Sequence, residues 1–170
     1  MTYVSIDRYP PNKTEPLLYE VRMLNYTYGY YQQIKEEPLR SVILESFLLH
    51  ARNLIDFLEN NRNRKDDLTC SDFTDTSGNP IQGEQVPLKE KTKDIIGKTV
   101  AHLTQMRTDS KTQWHITEIR EMLNNAMKDF LKKCADSNLP EEPNHWRLAF
   151  QEQFDLKFDA DSASLYRQSA

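Results

Sequence analysis

Residues 41–60 read SVILESFLLHARNLIDFLEN, and the spacing of their apolar positions decides the fold class. Ile43, Phe47, His50, Leu54 and Phe57 step by four, three, four and three, which places them on one face of an α-helix with His50 inside the core stripe. Arg52, two positions after His50, points roughly 200° away by the helical period and belongs to a different side. Pro38 marks the start of this helix, and the pattern runs to about Asn60.

The same periodicity recurs on both sides. Leu17, Val21, Leu24, Tyr28 and Tyr31 form one buried face of a helix predicted over about 15–36. Thr14 is placed to cap it, and Pro16 falls in the first turn, where a missing N–H costs little. Ile95, Ile96, Thr99, Val100, Leu103 and Met106 predict a third helix from Leu88 to near Arg107. A fourth, over about 113–135, carries Ile116, Ile119, Leu123, Ala126 and Phe130 and follows by a short link, so the two should be antiparallel neighbours. Pro140 and Pro143 precede a short last helix around 146–154, and a polar tail covers 156–170. Residues 60–87, NNRNRKDDLTCSDFTDTSGNPIQGEQVP, have no helical period and read as a long loop with a short extended piece near Leu68 to Phe73. Loops of this length, when ordered, often carry a site or an interface; a solvated insertion is the alternative. The expectation is an all-α, up-and-down four-helix bundle with a short extra C-terminal helix, one domain over 1–155, and a long loop between helices two and three.

Composition bounds the partners. Of 170 residues 28% are charged and only 4 are Gly, which favours long regular elements over Gly-marked turns. The net charge of -4 supplies no global positive field for phosphate backbones, so a nucleic-acid role needs a local basic patch. Cys70 and Cys134 lie far apart with no metal-ligand spacing around them, which predicts neither a disulfide framework nor a zinc site and suits a reducing cytoplasm. No segment carries the apolar run of a signal peptide or a spanning helix, so no membrane association is expected.

The candidate chemistry rests on few residues. Lys98 and His102 are four apart on the third helix and share a face, with Arg107 beyond them. A neutral His acts as acid or base near neutral pH. Against this stands the reading of His50 as a core residue bonded to a neighbouring helix, with Lys98 and Arg107 solvated. Glu45, Asp56, His102 and His115 are the candidate metal ligands, but they lack the Glu-x-x-His and His-Glu-x-x-His spacings, and no metal or other cofactor is expected. Tyr28 and Tyr31 fall on the apolar stripe, whereas Tyr26 and Tyr30 share the opposite side and mark a possible dimer surface. The cluster NRNRK at 61–65 reads as a solvated helix end.

Two segments carry a resemblance. SFLLHARNLIDF, 46–57, and KTVAHLTQMRTDSKTQW, 98–114, resemble an uncharacterised bacterial helical-bundle family with a HARxLxxF helix followed by a KxxxHLTxxR helix. That arrangement is similar in turn to the HEPN superfamily, small bundles found in toxin-antitoxin and phage-defence systems. The resemblance implies a cytoplasmic homodimer that engages RNA or a cognate antitoxin protein, many members being metal-independent endoribonucleases. His102 matches the superfamily's catalytic His by position. The Arg expected five to seven residues earlier is replaced by Gly97, Ile96 and Ile95, leaving Lys98 as the nearest cation. On this reading His50 and His102 supply base and acid, while Arg52, Lys98 and Arg107 hold the phosphate. The second expectation is a non-enzymatic homodimeric scaffold or partner-binding module in which these histidines are structural.

Overall fold

A computed structural model describes residues 13–89, 92–96, 114–139 and 143–156. The protein is an all-α helical bundle. Its helices are α1 (Thr14–Gln33), α2 (Leu39–Leu58), α3 (helical over 92–96), α4 (Ile116–Lys133) and α5 (Pro143–Phe154), with single 3-10 turns at Cys70–Asp72 and Asp136–Asn138. Among the described residues no strand forms.

The periodic stripes are the core. Val21, Leu24, Phe47, Ala51, Ile96, Leu123 and Met127 are fully enclosed, and they belong to one hydrophobic cluster that also receives Ile119, Phe130 and Phe150. α1 packs against α2, α4 and α5, and α2 also meets α4. Tyr28 and Tyr31 lie half-buried against that cluster. Thr14, however, does not cap α1. Lys13 holds the N-cap position without a side-chain capping bond, its ammonium donating instead to the Asp72 carbonyl, and the Thr14 hydroxyl turns to the carbonyl of Asn138, 3.4 Å away. α1 also stops at Gln33, three residues before the expected end, because Lys35, Glu36 and Glu37 offer no apolar position to extend the stripe.

The loop from 60 to 87 is stitched into the bundle at several points. α2 ends in a Schellman motif: Asn60 takes a left-handed conformation at φ 61, its N–H meets Phe57 O at 3.3 Å, and Asn61 N–H meets Asp56 O at 2.8 Å. The returning chain closes on that end so tightly that a Cβ at Gly83 would lie 2.7 Å from Asn60 Cβ and 2.8 Å from the Glu59 carbonyl. The extended piece expected near Leu68–Phe73 is instead a 3-10 turn. Asp72 accepts the Thr69 N–H at 2.8 Å, forming a capping box that favours a turn over a strand. Beyond it, Asn138 replaces a missing strand partner by donating to Thr74 O at 2.7 Å and accepting Thr74 N–H at 3.0 Å.

Phe73 is the apolar anchor of the loop. Its ring meets Phe57 of α2 at 5.8 Å and Phe130 of α4 at 5.3 Å, and those two meet each other at 5.0 Å, all three pairs edge to face. Such pairs add to the stabilisation from area burial alone. A buried ion pair fixes the far end: Lys93 of α3 lies 2.5 Å from Glu59, which also accepts the Val86 N–H at 2.9 Å.

Phe73→Ala is therefore expected to cost about 3–5 kcal/mol, lowering Tm by roughly 10 °C in thermal unfolding followed by circular dichroism. An unchanged Tm would mean that the loop lies outside the core.

Candidate functional site

The α1–α2 seam carries the polar residues that the sequence singles out. His50 is 6% exposed, on the core side of α2. Its Nδ1 lies 2.7 Å from Glu20 Oε2 of α1, and because a carboxylate accepts, Nδ1–H is the donor. Asn53, one turn along α2, donates to the same oxygen at 3.2 Å. The edge of Tyr19 closes over the imidazole, with centroids 5.9 Å apart. The periodicity that put His50 on the stripe thus required a partner on α1, and Glu20 supplies it.

Arg52 points elsewhere, as its position two residues on demands. It lies 3.6 Å from Asp56, one turn further along α2, in a half-buried and loose pair. Both line a cleft of about 440 Å³ between the start of α1, the end of α2 and the segment 61–68. Glu20, Asn53, Asn61, Asn63, Arg64 and Asp67 complete its polar rim, with Leu17, Leu54 and Phe57 beneath. Burial pushes the Asp56 carboxyl above the usual carboxylate range, against the opposing pull of Arg52 and a hydrogen bond from Asn61; Glu59 and Asp67 add to the rise. Asp67 spends one oxygen on the backbone N–H groups of Asn63, at 2.9 Å, and Arg64, at 2.6 Å. Within the basic cluster, Arg62 is held by Asp72 at 2.6 Å, while Arg64 lines the cleft.

Lys98, His102 and Arg107 lie outside the described residues; of the expected set the structure describes His50 and Arg52, and it does not bring these two together, His50 facing Glu20 and Arg52 the cleft. Among the described residues no three His, Cys, Asp or Glu side chains gather as metal ligands. Cys70 and Cys134 are buried free thiols, and burial raises the pKa of both.

A second polar centre was invisible to apolar spacing. Asn25, fully buried in α1, exchanges amide hydrogen bonds with Asn124 of α4 at 2.9 and 3.2 Å. Arg120 donates to Asn25 at 2.6 Å and to the Leu156 carbonyl at 3.1 Å, and its guanidinium stacks 4.7 Å from the Tyr28 ring. Burial lowers the Arg120 pKa. The network holds α1, α4 and the end of α5 in one register. An Asn recurring at a core position was the available signal.

Compared with protein-family models, curated proteins and solved structures, the chain matches none. The likeness to the HEPN superfamily therefore rests on the two quoted segments.

The environment of Asp56 makes a pH-dependent prediction. Because its folded-state pKa is raised, ionisation costs the native state stability. That penalty is absent below the unfolded pKa and grows as pH rises through the folded one. Asp56→Asn should raise Tm near pH 7, and the gain should fade as pH falls towards about 4. Thermal melts at the two pH values check it, and a gain of equal size at both would contradict the assignment.

Proposed function

We propose that this protein is a non-enzymatic assembly module that self-associates through the outer face of the α1–α2 hairpin, with His50 as a structural residue. The observation that carries the reading is a charge-free apolar face in a chain of which 28% of residues are charged. Tyr19, Met23, Tyr26 and Tyr30 recur along one stripe of α1, and Leu39, Val42, Ser46 and Leu49 along one stripe of α2. Tyr19, Tyr30, Leu39, Val42 and Leu49 are exposed by 42–58%. Both stripes flank the solvent side of the seam where Tyr19 meets His50.

The occupant that fits is a second copy. A two-fold interface brings the same patch against itself, so a charge near the axis would meet its own like, and a charge-free centre avoids that cost. At the rims, α1 presents Arg22 and α2 presents Glu45. An arrangement with α1 of one copy over α2 of the other sets opposite charges facing along both edges. The tie of His50 to Glu20 supports the same reading, because it commits Nδ1 to the hairpin rather than to a substrate.

Engagement of RNA is the second reading, favoured by one observation: Arg52 and Arg64 both reach the same cleft, where guanidinium groups suit phosphate. It leaves the toxin-antitoxin or phage-defence setting as a proposal attached to the motif resemblance.

Sedimentation equilibrium tests the first reading. The wild type should be dimeric at about 10 μM, and Val42→Glu, at the most exposed of the five positions, should give a monomer with Tm unchanged. A wild type that stays monomeric, or a Val42→Glu dimer, would overturn it.

A further inference from the structure

We propose that the cleft at the end of the α1–α2 seam binds a small zwitterion, of the α-amino-acid class with an apolar side chain, its carboxylate on Arg52 and Arg64 and its ammonium on Asp56. This goes beyond self-association and does not depend on it, because the cleft opens at the loop end of the hairpin.

The lining carries both signs in close proximity. Arg52 and Asp56 share the rim in a pair 3.6 Å long, too loose for a direct hydrogen bond. A one-turn pair this long contributes little, so exchanging it for a ligand's two charges loses little. Among the described residues the guanidinium of Arg64 has no hydrogen bond or ion pair; its backbone alone is engaged, the N–H donating to the Asp67 carboxylate and the carbonyl accepting the Asp67 N–H. Two guanidinium forks are thus available to one carboxylate, which such forks match in plane and spacing.

The carboxylates are unequal. Glu20 is committed to His50 and Asn53, and Asp67 to the backbone of its own turn. Asp56 differs. Its ion pair with Arg52 is 3.6 Å long, which leaves room for a cation at closer range, and burial outweighs the pull of Arg52 and of Asn61 and keeps its pKa raised. An ammonium group is such a cation. A purely anionic ligand would instead bring a like charge beside Asp56, Asp67 and Glu20, and a purely cationic one would leave Arg64 unused.

Size and polarity agree with that assignment. A volume of about 440 Å³ lies within the ordinary range for small-molecule sites. Pro16 and Leu68, both half-buried, offer an apolar wall for the side chain, with Asn61 and Asn63 beside the charged groups.

Titration of the full chain with leucine, followed by NMR chemical-shift changes, tests the proposal, with N-acetyl-leucine, leucine amide and inorganic phosphate as controls. Leucine should bind with a Kd at or below about 1 mM, and both derivatives should bind at least tenfold more weakly. Arg52→Gln should abolish the preference for leucine over leucine amide. Asp56→Asn should abolish the preference over N-acetyl-leucine while leaving the fold intact. Overturning results are the absence of any leucine-dependent shift up to about 10 mM, N-acetyl-leucine or phosphate binding as well as leucine, or tight Arg52-dependent binding of a single-stranded RNA oligonucleotide with no response to leucine. None of these alters the oligomeric state, so they are separable from failure of the assembly reading.

Discussion

The contact on which the arrangement depends is the hydrogen bond between His50 and Glu20. It joins two long helices near the middle of their shared seam, where an imidazole with no partner would cost the free energy of a buried, unsatisfied donor. A slip of one helix along the other would break it, together with the Asn53 bond to the same oxygen. The register it fixes sets Tyr19 over the imidazole, keeps the apolar stripes of α1 and α2 on one side of the seam, and leaves Arg52 and Asp56 at the rim of the cleft.

A second polar tie joins α1 to a different neighbour. Asn25, Asn124 and Arg120 bind α1 to α4 as His50 and Glu20 bind α1 to α2. An apolar core of this composition admits several packings of nearly equal energy, and two buried polar contacts with definite geometry select one. The trio of Phe57, Phe73 and Phe130 then fastens the long loop to the result, so that segment 61–68 becomes a wall of the cleft.

The elements whose side chains alternate by three and four were legible from the sequence, since burial on one face imposes that spacing directly. Leu17 to Tyr31, Phe47 to Phe57 and Ile116 to Phe130 fall on the core face where they were placed, whereas at the start of α2 Leu44 rather than Ile43 packs against the core. Helix ends were less legible: Thr14 looks like a cap, but a long-range carbonyl at Asn138 competes for its hydroxyl. The loop was the least legible, because what orders it is non-local. Phe73, Ile81 and Val86 are buried against helices distant in sequence, and no period within residues 60–87 announces that. The same reason hides the cleft: Arg52 and Asp56 are visible as a one-turn pair, but their neighbours Glu20 and Arg64 come from other elements. His50 was legible as a core residue, while Glu20, one position off the α1 stripe, was not legible as its partner.

A double-mutant cycle on Glu20 and His50 measures the central contact most directly. With Glu20→Ala, His50→Ala and the double variant unfolded by denaturant under one set of conditions, the hairpin tie predicts a coupling of at least about 1 kcal/mol, the double variant being less destabilised than the sum of the singles. A coupling within about 0.3 kcal/mol of zero would contradict it, leaving His50 free of Glu20 and the register of the hairpin to be set elsewhere.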